Sequence, residues 1–512
     1  MTSRPPQDPR EEEFATSATA DVELEIEELG DPEASPGLPS TTLAVQATVA
    51  TSADPPHRFL GAGSRTREIL LLAWPVMMSQ ALISLAGLID RAMVGRLGGS
   101  EDAAVSLAAV GFATQFFFLI QSTLFAVGLA CVALMARAIG AGDPARARST
   151  MAASLEVALV TTAVLGGIMW LGSQQALRWL GATPDVADAA VPYLRLILAS
   201  SILMAVALLI ESALRANRNM RTPMWVALFV TLTKLGGNWL LIFGNWGFPR
   251  LELVGAGLAT VVSQVVAVAI LVVAIARMHR DSPVALRWRD WKHARRLRGE
   301  VIRIALPSIA ERIVMNLAML TYFWVLGHYY GTVSVAVYTV GVALLAFSWV
   351  PGTGYAQACA TLVGQSLGAK KPEEAVRIGW RSAGLALGTS VVLGVVFALS
   401  RTPLAELFTD DAVVVAALGP FMLTLAIAQP FLQLHFTLGG AHRGAGDTWT
   451  PLVAATIGNW VFRVPLALFF AIWLETSVVW IWYAIVFDHV SRAAWLTISF
   501  ARKRWLHRLE NP

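Results

Sequence analysis

Residues 131–144 read CVALMARAIGAGDP, and residues 359–372 read CATLVGQSLGAKKP. The segments match Cys131 with Cys359, Gly140-Ala141 with Gly368-Ala369 and Pro144 with Pro372, all at an offset of 228. The same offset carries on to Arg215 with Arg443 and to Thr222-Pro223 with Thr450-Pro451. Toward the N-terminus it widens. Val110-Gly111 pairs with Val340-Gly341 at 230, and Glu68 with Ala73-Trp74-Pro75 pairs with Glu300 with Ala305-Leu306-Pro307 at 232. A slow drift of this size is what duplication leaves behind after small loop deletions. The chain is two copies of one unit, and the content of that unit decides the fold.

Each copy is a series of long apolar stretches separated by breaks rich in Gly, Pro, Asn and Asp. The first holds spans 68–95, 104–136, 146–172, 187–214, 223–243 and 254–278; the second holds 300–327, 333–364, 373–399, 412–440, 451–474 and 478–500. Nearly all reach the roughly 20 residues that a helix needs to cross a bilayer. Composition agrees, since only 14% of the 512 residues are charged and 56% are hydrophobic, against about 25% charged in soluble proteins. A soluble enzyme, a disordered regulator and a disulfide-stapled secreted domain are excluded. The two cysteines are too few for a cysteine-rich metal framework, and their repeat-related positions point to packing. The expected fold is an all-α membrane protein of twelve transmembrane helices, in two pseudo-symmetric six-helix lobes around a central cleft. Both repeats then share one orientation, related by an axis along the membrane normal.

The net charge of +4 sums unlike parts, for residues 1–57 hold twelve acids and two arginines, while the rest holds 37 basic and 23 acidic residues. Segment 1–57 has no apolar run of the kind that marks a signal peptide, and reads as a disordered acidic tail. The remaining parts are an N-lobe over 58–278, a basic connector over 279–299, a C-lobe over 300–501 and a basic tail over 502–512. Loops on the side of the termini carry 26 basic residues and loops on the other side four: Arg96, Arg178, Arg250 and Arg401. The positive-inside rule then puts both termini in the cytoplasm, with the chain in the plasma (inner) membrane.

Two lobes around a cleft make transporter architecture. The sequence lacks the G-x-x-x-x-G-K-[ST] loop that cradles ATP phosphates and the H-E-x-x-H helix that binds zinc. It also lacks a G-x-S-x-G nucleophile elbow. The reading is a transporter without cofactor or catalytic centre, working as a monomer, driven by an ion gradient and with no nucleic-acid partner.

Five motifs in order give the chain a family resemblance. Leu88 to Gly98 (LIDRAMVGRLG) resembles the helix-one signature of the multidrug and toxic compound extrusion transporters. Leu362 to Ala369 (LVGQSLGA) is similar to the segment after their helix eight, and His442 to Pro451 (HRGAGDTWTP) to their helix 10–11 loop. Asn238 to Gly244 (NWLLIFG) resembles the end of helix five, and Val254 to Thr260 (VGAGLAT) the start of helix six. The resemblance covers about residues 65–500 and implies export of organic, often cationic, compounds in exchange for inward Na⁺ or H⁺. It also implies lobes that rock about a central cavity.

Ionisable groups within the spans cost roughly 2.5–3.5 kcal/mol each even on the lenient insertion scale. The acids are Asp90, Glu156, Glu211, Glu311 and Asp488; the bases are Arg91, Arg195, Lys234, Arg312, Arg381, Arg463 and Arg492. By resemblance, Asp90 is the coupling carboxylate. In the family it shares a cation site with an i,i+4 pair on helix five and a Thr on helix six, positions that fall here on Lys234, Asn238 and Thr260. Lys234 departs from that pattern. An ammonium has donors and no acceptor, so it cannot ligate Na⁺. Na⁺ at Asp90, Asn238 and Thr260 therefore stands against proton coupling, with Asp90 alternating between Lys234 and a proton or cationic substrate. The bland alternatives are that Lys234 snorkels to an interface and that Asp90 only neutralises a structural base.

Glu311 on helix seven either lines the second lobe's cavity or pairs with a neighbouring base. Glu211 is a weaker candidate, since it has i,i+4 spacing to Arg215; Asp488 with Arg492 has the same spacing, with Arg463 a third member, and this group reads as structural. Candidate cavity groups are Gln80, Gln115, Gln121, Asn316, Gln429, Gln433 and His435. Met77, Phe116, Met319, Tyr322 and Trp349 neighbour them, because soft and aromatic surfaces suit organic cations; packing against other helices or lipid is the plain alternative for each. Two competing functions remain open. A lipid-linked oligosaccharide flippase of the same superfamily would want several cleft arginines, of which Arg312 alone is evident. A non-transporting scaffold would use the acidic tail.

Overall fold

The computed structural model describes residues 62–94, 100–179, 183–285, 287, 289–406 and 412–507. The acidic segment 1–57, the end of the helix-one motif at 95–98 and the last residues of the C-terminal tail lie outside the described residues. Among the described residues there is no strand, and twelve long helices carry the fold. The N-lobe holds α1 (Ala62–Val94), α2 (Ser100–Gly140), α3 (Pro144–Leu171), α4 (Pro184–Ala216), α5 (Arg221–Phe243) and α6 (Glu252–Ala276). The C-lobe holds α7 (Asp290–Gly331), α8 (Val333–Gly368), α9 (Pro372–Leu399), α10 (Ala412–Gly444), α11 (Trp449–Trp473) and α12 (Val478–Ala501). All but α12 are long and apolar enough to cross a membrane. Asp488, His489 and Arg492 dilute the apolar content of α12, and all three are buried inside the lobe.

The duplication is visible in the backbone. Helices α3 and α9 are both 28 residues long, and α4 and α10 are both 33. Pro144 and Pro372 open α3 and α9, where the missing N–H has no helical partner to lose. The turns before them reach left-handed backbone at Gly142 (φ 72°) and Lys370 (φ 58°), and the later turns do so at Arg218 (φ 62°) and Gly446 (φ 83°). A side chain there costs about 1–2 kcal/mol, yet Lys370 and Arg218 keep the inherited shape.

The start of α7 departs from the expected boundary. Its helix begins at Asp290, ten residues before the expected 300, and takes in half of the connector. The reason is amphipathicity: Trp291, Ala294, Leu297 and Val301 pack into the N-lobe core. The polar face pairs with α3 through Arg148–Asp290 at 3.1 Å, Arg146–Glu300 at 3.3 Å and Glu156–Arg298. Glu156, counted above among the intramembrane acids, is thus matched by a connector base. The chain breaks between α7 and α8 at Gly331 (φ 75°).

The lobes meet along helices that cross over. Ile69, Leu72, Ala73 and Val76 of α1 share a core with Tyr355, Cys359 and Leu362 of α8. Where the ends of α2 and α8 cross, a Cβ on Gly140 would run into the Gln365 carbonyl, and one on Gly368 into the Arg137 carbonyl. These contacts are repeat-related, so the two glycines kept in both copies mark the pseudo-symmetry axis. Within the C-lobe, Gly440 and Gly444 lie against the carbonyls of Ala356 and Ala360, a small-residue approach typical of membrane helices.

Candidate functional site

Asp90 stands in the last turns of α1, facing α5. Lys234 Nζ donates to its Oδ2 at 3.2 Å, and Asn238 Nδ2 donates to its Oδ1 at 2.6 Å. Spacing of four puts both donors on one face of α5. The opposite contact of α5 sets that rotation: Gly237 lies against Ala259, and Gly255 of α6 against the Leu241 carbonyl, so the two helices touch backbone to backbone. Asn238 is fully buried, while Asp90 and Lys234 keep side-chain exposures of 16% and 24%. The Asn238 Oδ1 is buried without a hydrogen-bond partner, an acceptor held in reserve. Thr260 does not join this group among the described residues; its hydroxyl donates to the Ala256 carbonyl one turn back, at 2.9 Å.

The C-lobe has a different polar centre. Asp488, with no exposure, accepts two bonds from Arg492, at 2.5 and 2.9 Å, and has Arg463 at 3.7 Å. Arg463 also donates to the Tyr338 hydroxyl at 2.6 Å and stacks over Tyr322, its carbon 4.5 Å from the ring centre. Helix α11 widens to π geometry over Ile457–Arg463, just before Pro465. Proline cannot donate to the helical ladder, and the wider turn absorbs the missing bond. Next to this group the His435 and His489 rings stack with nitrogens 3.2 Å apart.

Between the lobes lies a cavity of about 110 Å³, lined from α2 and α4 on one side and α7, α8, α10, α11 and α12 on the other. It holds four arginines, Arg215, Arg312, Arg443 and Arg492, with Glu311 and His435. Glu311 lies on the cavity wall and accepts from Arg443 at 2.6 Å. Arg215 pairs with Glu211 at 2.8 Å, as its spacing implied. Met315, one turn after Glu311, is also on the wall. Gln80, Gln115, Asn316, Met319, Tyr322 and Gln433 do not line this cavity. Tyr322 is fully buried with its hydroxyl donating to the Ile481 carbonyl, and Gln433 donates to the Ser348 carbonyl, so both serve the C-lobe interior. Sequence reading missed Arg215, Arg443 and Arg492 as cavity groups. One signal was present, since Arg215 and Arg443 are repeat partners.

The end of the cavity nearer the connector is sealed. Below the lining residues, Gln365 donates to the Ala216 carbonyl at 2.7 Å, and Thr361 donates to the Arg215 carbonyl at 3.1 Å. Arg218 reaches Gln365 and, at 2.6 Å, Glu68, while Arg65 pairs with Glu374 at 2.9 Å. The turn at this end of the C-lobe is held by Asp447, which accepts from the Thr450 backbone N–H at 3.2 Å and the Thr450 hydroxyl at 2.6 Å. Burial pushes the Asp447 carboxyl up, but the bonds from His442 and Thr450 outweigh it and hold the group below the usual range. Asn219 does the same work in the N-lobe without a charge, accepting from the Thr222 N–H at 3.1 Å.

Comparison with known proteins agrees with this architecture. The MatE family model matches residues 75–240 and 307–469, one stretch in each lobe. A probable multidrug resistance protein NorM from Thermotoga maritima is 26% identical over 449 residues, covering 86% of this chain and 93% of the relative. Another protein of that name, from Bradyrhizobium diazoefficiens, is 30% identical, covering 85% and 92%. Among solved structures, an outward-facing multidrug resistance MATE transporter matches with a TM-score of 0.80 at 22% identity, over 86% of this chain and 97% of that one. A Pyrococcus furiosus transporter of the same superfamily, described as having a binding pocket of reversed polarity, matches with a TM-score of 0.78 at 22% identity, over 88% and 97%.

Proposed function

The chain belongs to the multidrug and toxic compound extrusion family of membrane transporters, and on that premise we propose that it exports organic compounds in exchange for protons, with Asp90 as the coupling carboxylate. The observation that carries this reading is the Asp90–Lys234 ion pair, with Asn238 bonded to the other carboxylate oxygen. Na⁺ needs lone pairs, and the ammonium beside Asp90 offers none. Lys234 fills the cation's place with a charge of its own.

Coupling follows from which partner Asp90 holds. Ionised, it binds Lys234 and ties α1 to α5. A proton arriving on Asp90 removes the attraction and frees Lys234. The Asn238 amide, turned over, then presents its unbonded Oδ1 to the new O–H. The exchange switches a link inside the N-lobe and leaves the partly exposed Lys234 ammonium without its carboxylate. Alternating access requires the sealed end to open, breaking the Gln365–Ala216 and Arg65–Glu374 bonds that now join the lobes. The excess of basic residues at this end supports a cytoplasmic position for it, with the chain in the inner membrane. Each pH unit across the membrane supplies about 1.4 kcal/mol, a tenfold accumulation of exported compound per proton.

Asp90→Asn keeps the shape and removes the charge. Cells expressing it should lose resistance to compounds that the wild type exports, at equal protein level. Equal resistance in both would end the coupling role of Asp90.

A further inference from the structure

We propose that the central cavity receives amphipathic organic anions, bound head-first to Arg312; the proposal rests on the exporter reading above for transport, but not for binding. The lining has four arginines against one carboxylate. Three of them are already matched: Arg443 by Glu311, Arg215 by Glu211 and Arg492 by Asp488. Arg312 is the exception. Among the described residues no carboxylate lies within ion-pair distance of it, and its guanidinium instead sits 4.7 Å from the centre of the Phe125 ring. In the same cavity the Nε groups of Arg215 and Arg443 are buried without an acceptor.

The electrostatic consequence is direct. Among the described residues the one acid on the wall, Glu311, is already paired, so an entering cation meets one unmatched positive charge and idle N–H donors. An entering carboxylate, sulfonate or phosphate meets the planar donor fork that fits it in two places at once. The rest of the wall is apolar, with Phe125, Leu129, Leu208, Met315 and Phe436 placed to cover an aromatic or aliphatic body. Arg312 belongs to α7 and Phe125 to α2, so an anion that takes the guanidinium from the ring replaces a contact between the lobes. Substrate binding and lobe movement would share one group.

The test uses the purified full chain and two fluorophores of similar size, carboxyfluorescein as anion and rhodamine 6G as cation. By fluorescence anisotropy, carboxyfluorescein should bind the wild type more tightly than rhodamine 6G. Arg312→Gln should weaken carboxyfluorescein at least tenfold without weakening rhodamine 6G. Arg312→Lys, which keeps charge but loses the fork, should fall between. Carboxyfluorescein affinity within twofold of wild type in Arg312→Gln would overturn the proposal, as would a wild type that prefers rhodamine 6G tenfold.

Transport in proteoliposomes adds a second readout. Exporting an anion against one proton moves at least two charges, and more for carboxyfluorescein with its several ionised groups, whereas a monovalent cation against one proton moves none. Each charge crossing about 100 mV is worth roughly a fiftyfold gradient. Dissipating the voltage that this exchange builds up, with valinomycin and equal K⁺ on both sides, should therefore speed pH-driven carboxyfluorescein flux and leave rhodamine 6G flux unchanged; voltage-independent carboxyfluorescein flux would contradict coupled anion export. Flipping of a fluorescent anionic lipid without flux of the free dye would assign the site to lipid and overturn the free amphiphile. Asp90→Asn separates the two readings. It should stop pH-driven flux of either dye while carboxyfluorescein still binds; normal flux would remove the coupling role and leave the Arg312 site standing.

Discussion

The helix-one position of Asp90 has a counterpart in the second repeat, at the offset of 232 found around Pro75 and Pro307: it is Tyr322. Asp90 meets Lys234, and Tyr322 meets Arg463, with the base supplied by the fifth helix of each lobe. The geometry is inherited; the chemistry is not. A carboxylate beside a lysine on a flexible arm can change partners when a proton arrives. A phenol under a guanidinium that also serves Tyr338 and Asp488 has little reason to move. Exposure divides them in the same way, since Asp90 is partly open while Tyr322 and Asp488 are fully buried. Duplication supplied two equivalent positions, one holding a partly exposed carboxylate–lysine pair and the other part of a buried network.

The largest effect should come from breaking the buried network. Asp488→Ala leaves Arg492 and Arg463 buried without their carboxylate, which costs about 3–5 kcal/mol. Folded yield in detergent should fall sharply, with a melting temperature well below that of wild type. Lys234→Met leaves only a partly exposed carboxylate and should fold, and wild-type melting for Asp488→Ala would erase the distinction between lobes.

Next in size is the axis contact. Gly140→Ala and Gly368→Ala each push a methyl into a backbone carbonyl of the other lobe, an overpacking cost of about 1–3 kcal/mol. The strain is confined to the sealed end, so both variants should open it, seen as faster labelling of a cysteine introduced at Thr361. Labelling at the wild-type rate would show that this crossing does not hold the end shut.

The smallest effect separates the repeat-related turns at Asn219 and Asp447. The folded carboxyl of Asp447 lies below its ordinary value, so its stabilisation is present above about pH 4 and is lost as pH falls through the lowered value. Asp447→Asn should cost about 1 kcal/mol at neutral pH and nothing in acid, while Asn219→Ala should cost a similar amount at every pH. Melting curves from pH 7 down to pH 3 distinguish them, and parallel pH profiles would break the comparison.

Twelve spans, the duplication and the basic asymmetry were readable because hydropathy and spacing are local properties. The start of α7 was not: Trp291 and Leu297 look like connector until a neighbouring lobe is there to bury them. Asp90 stood out because an acid in hydrocarbon needs a reason, and the resemblance pointed to the face carrying Lys234 and Asn238. Thr260 fitted the same pattern but spends its hydroxyl on its own helix. The arginine-lined cavity was the least legible feature. Arg215, Arg443 and Arg492 come from three helices, each explained locally by an i,i+4 partner or a loop position, and only packing gathers them around Arg312.

The central claim is that Lys234 holds the place where a metal cation would bind, leaving the proton as the coupling ion. It is tested most directly by reconstituting the wild type and Lys234→Asn, and driving export with a pH gradient alone or a Na⁺ gradient alone. The account predicts that the wild type responds to pH and ignores Na⁺, and that Lys234→Asn, which restores an oxygen ligand beside Asp90, gains a response to Na⁺. Wild-type export driven by Na⁺ in the absence of a pH gradient would contradict it.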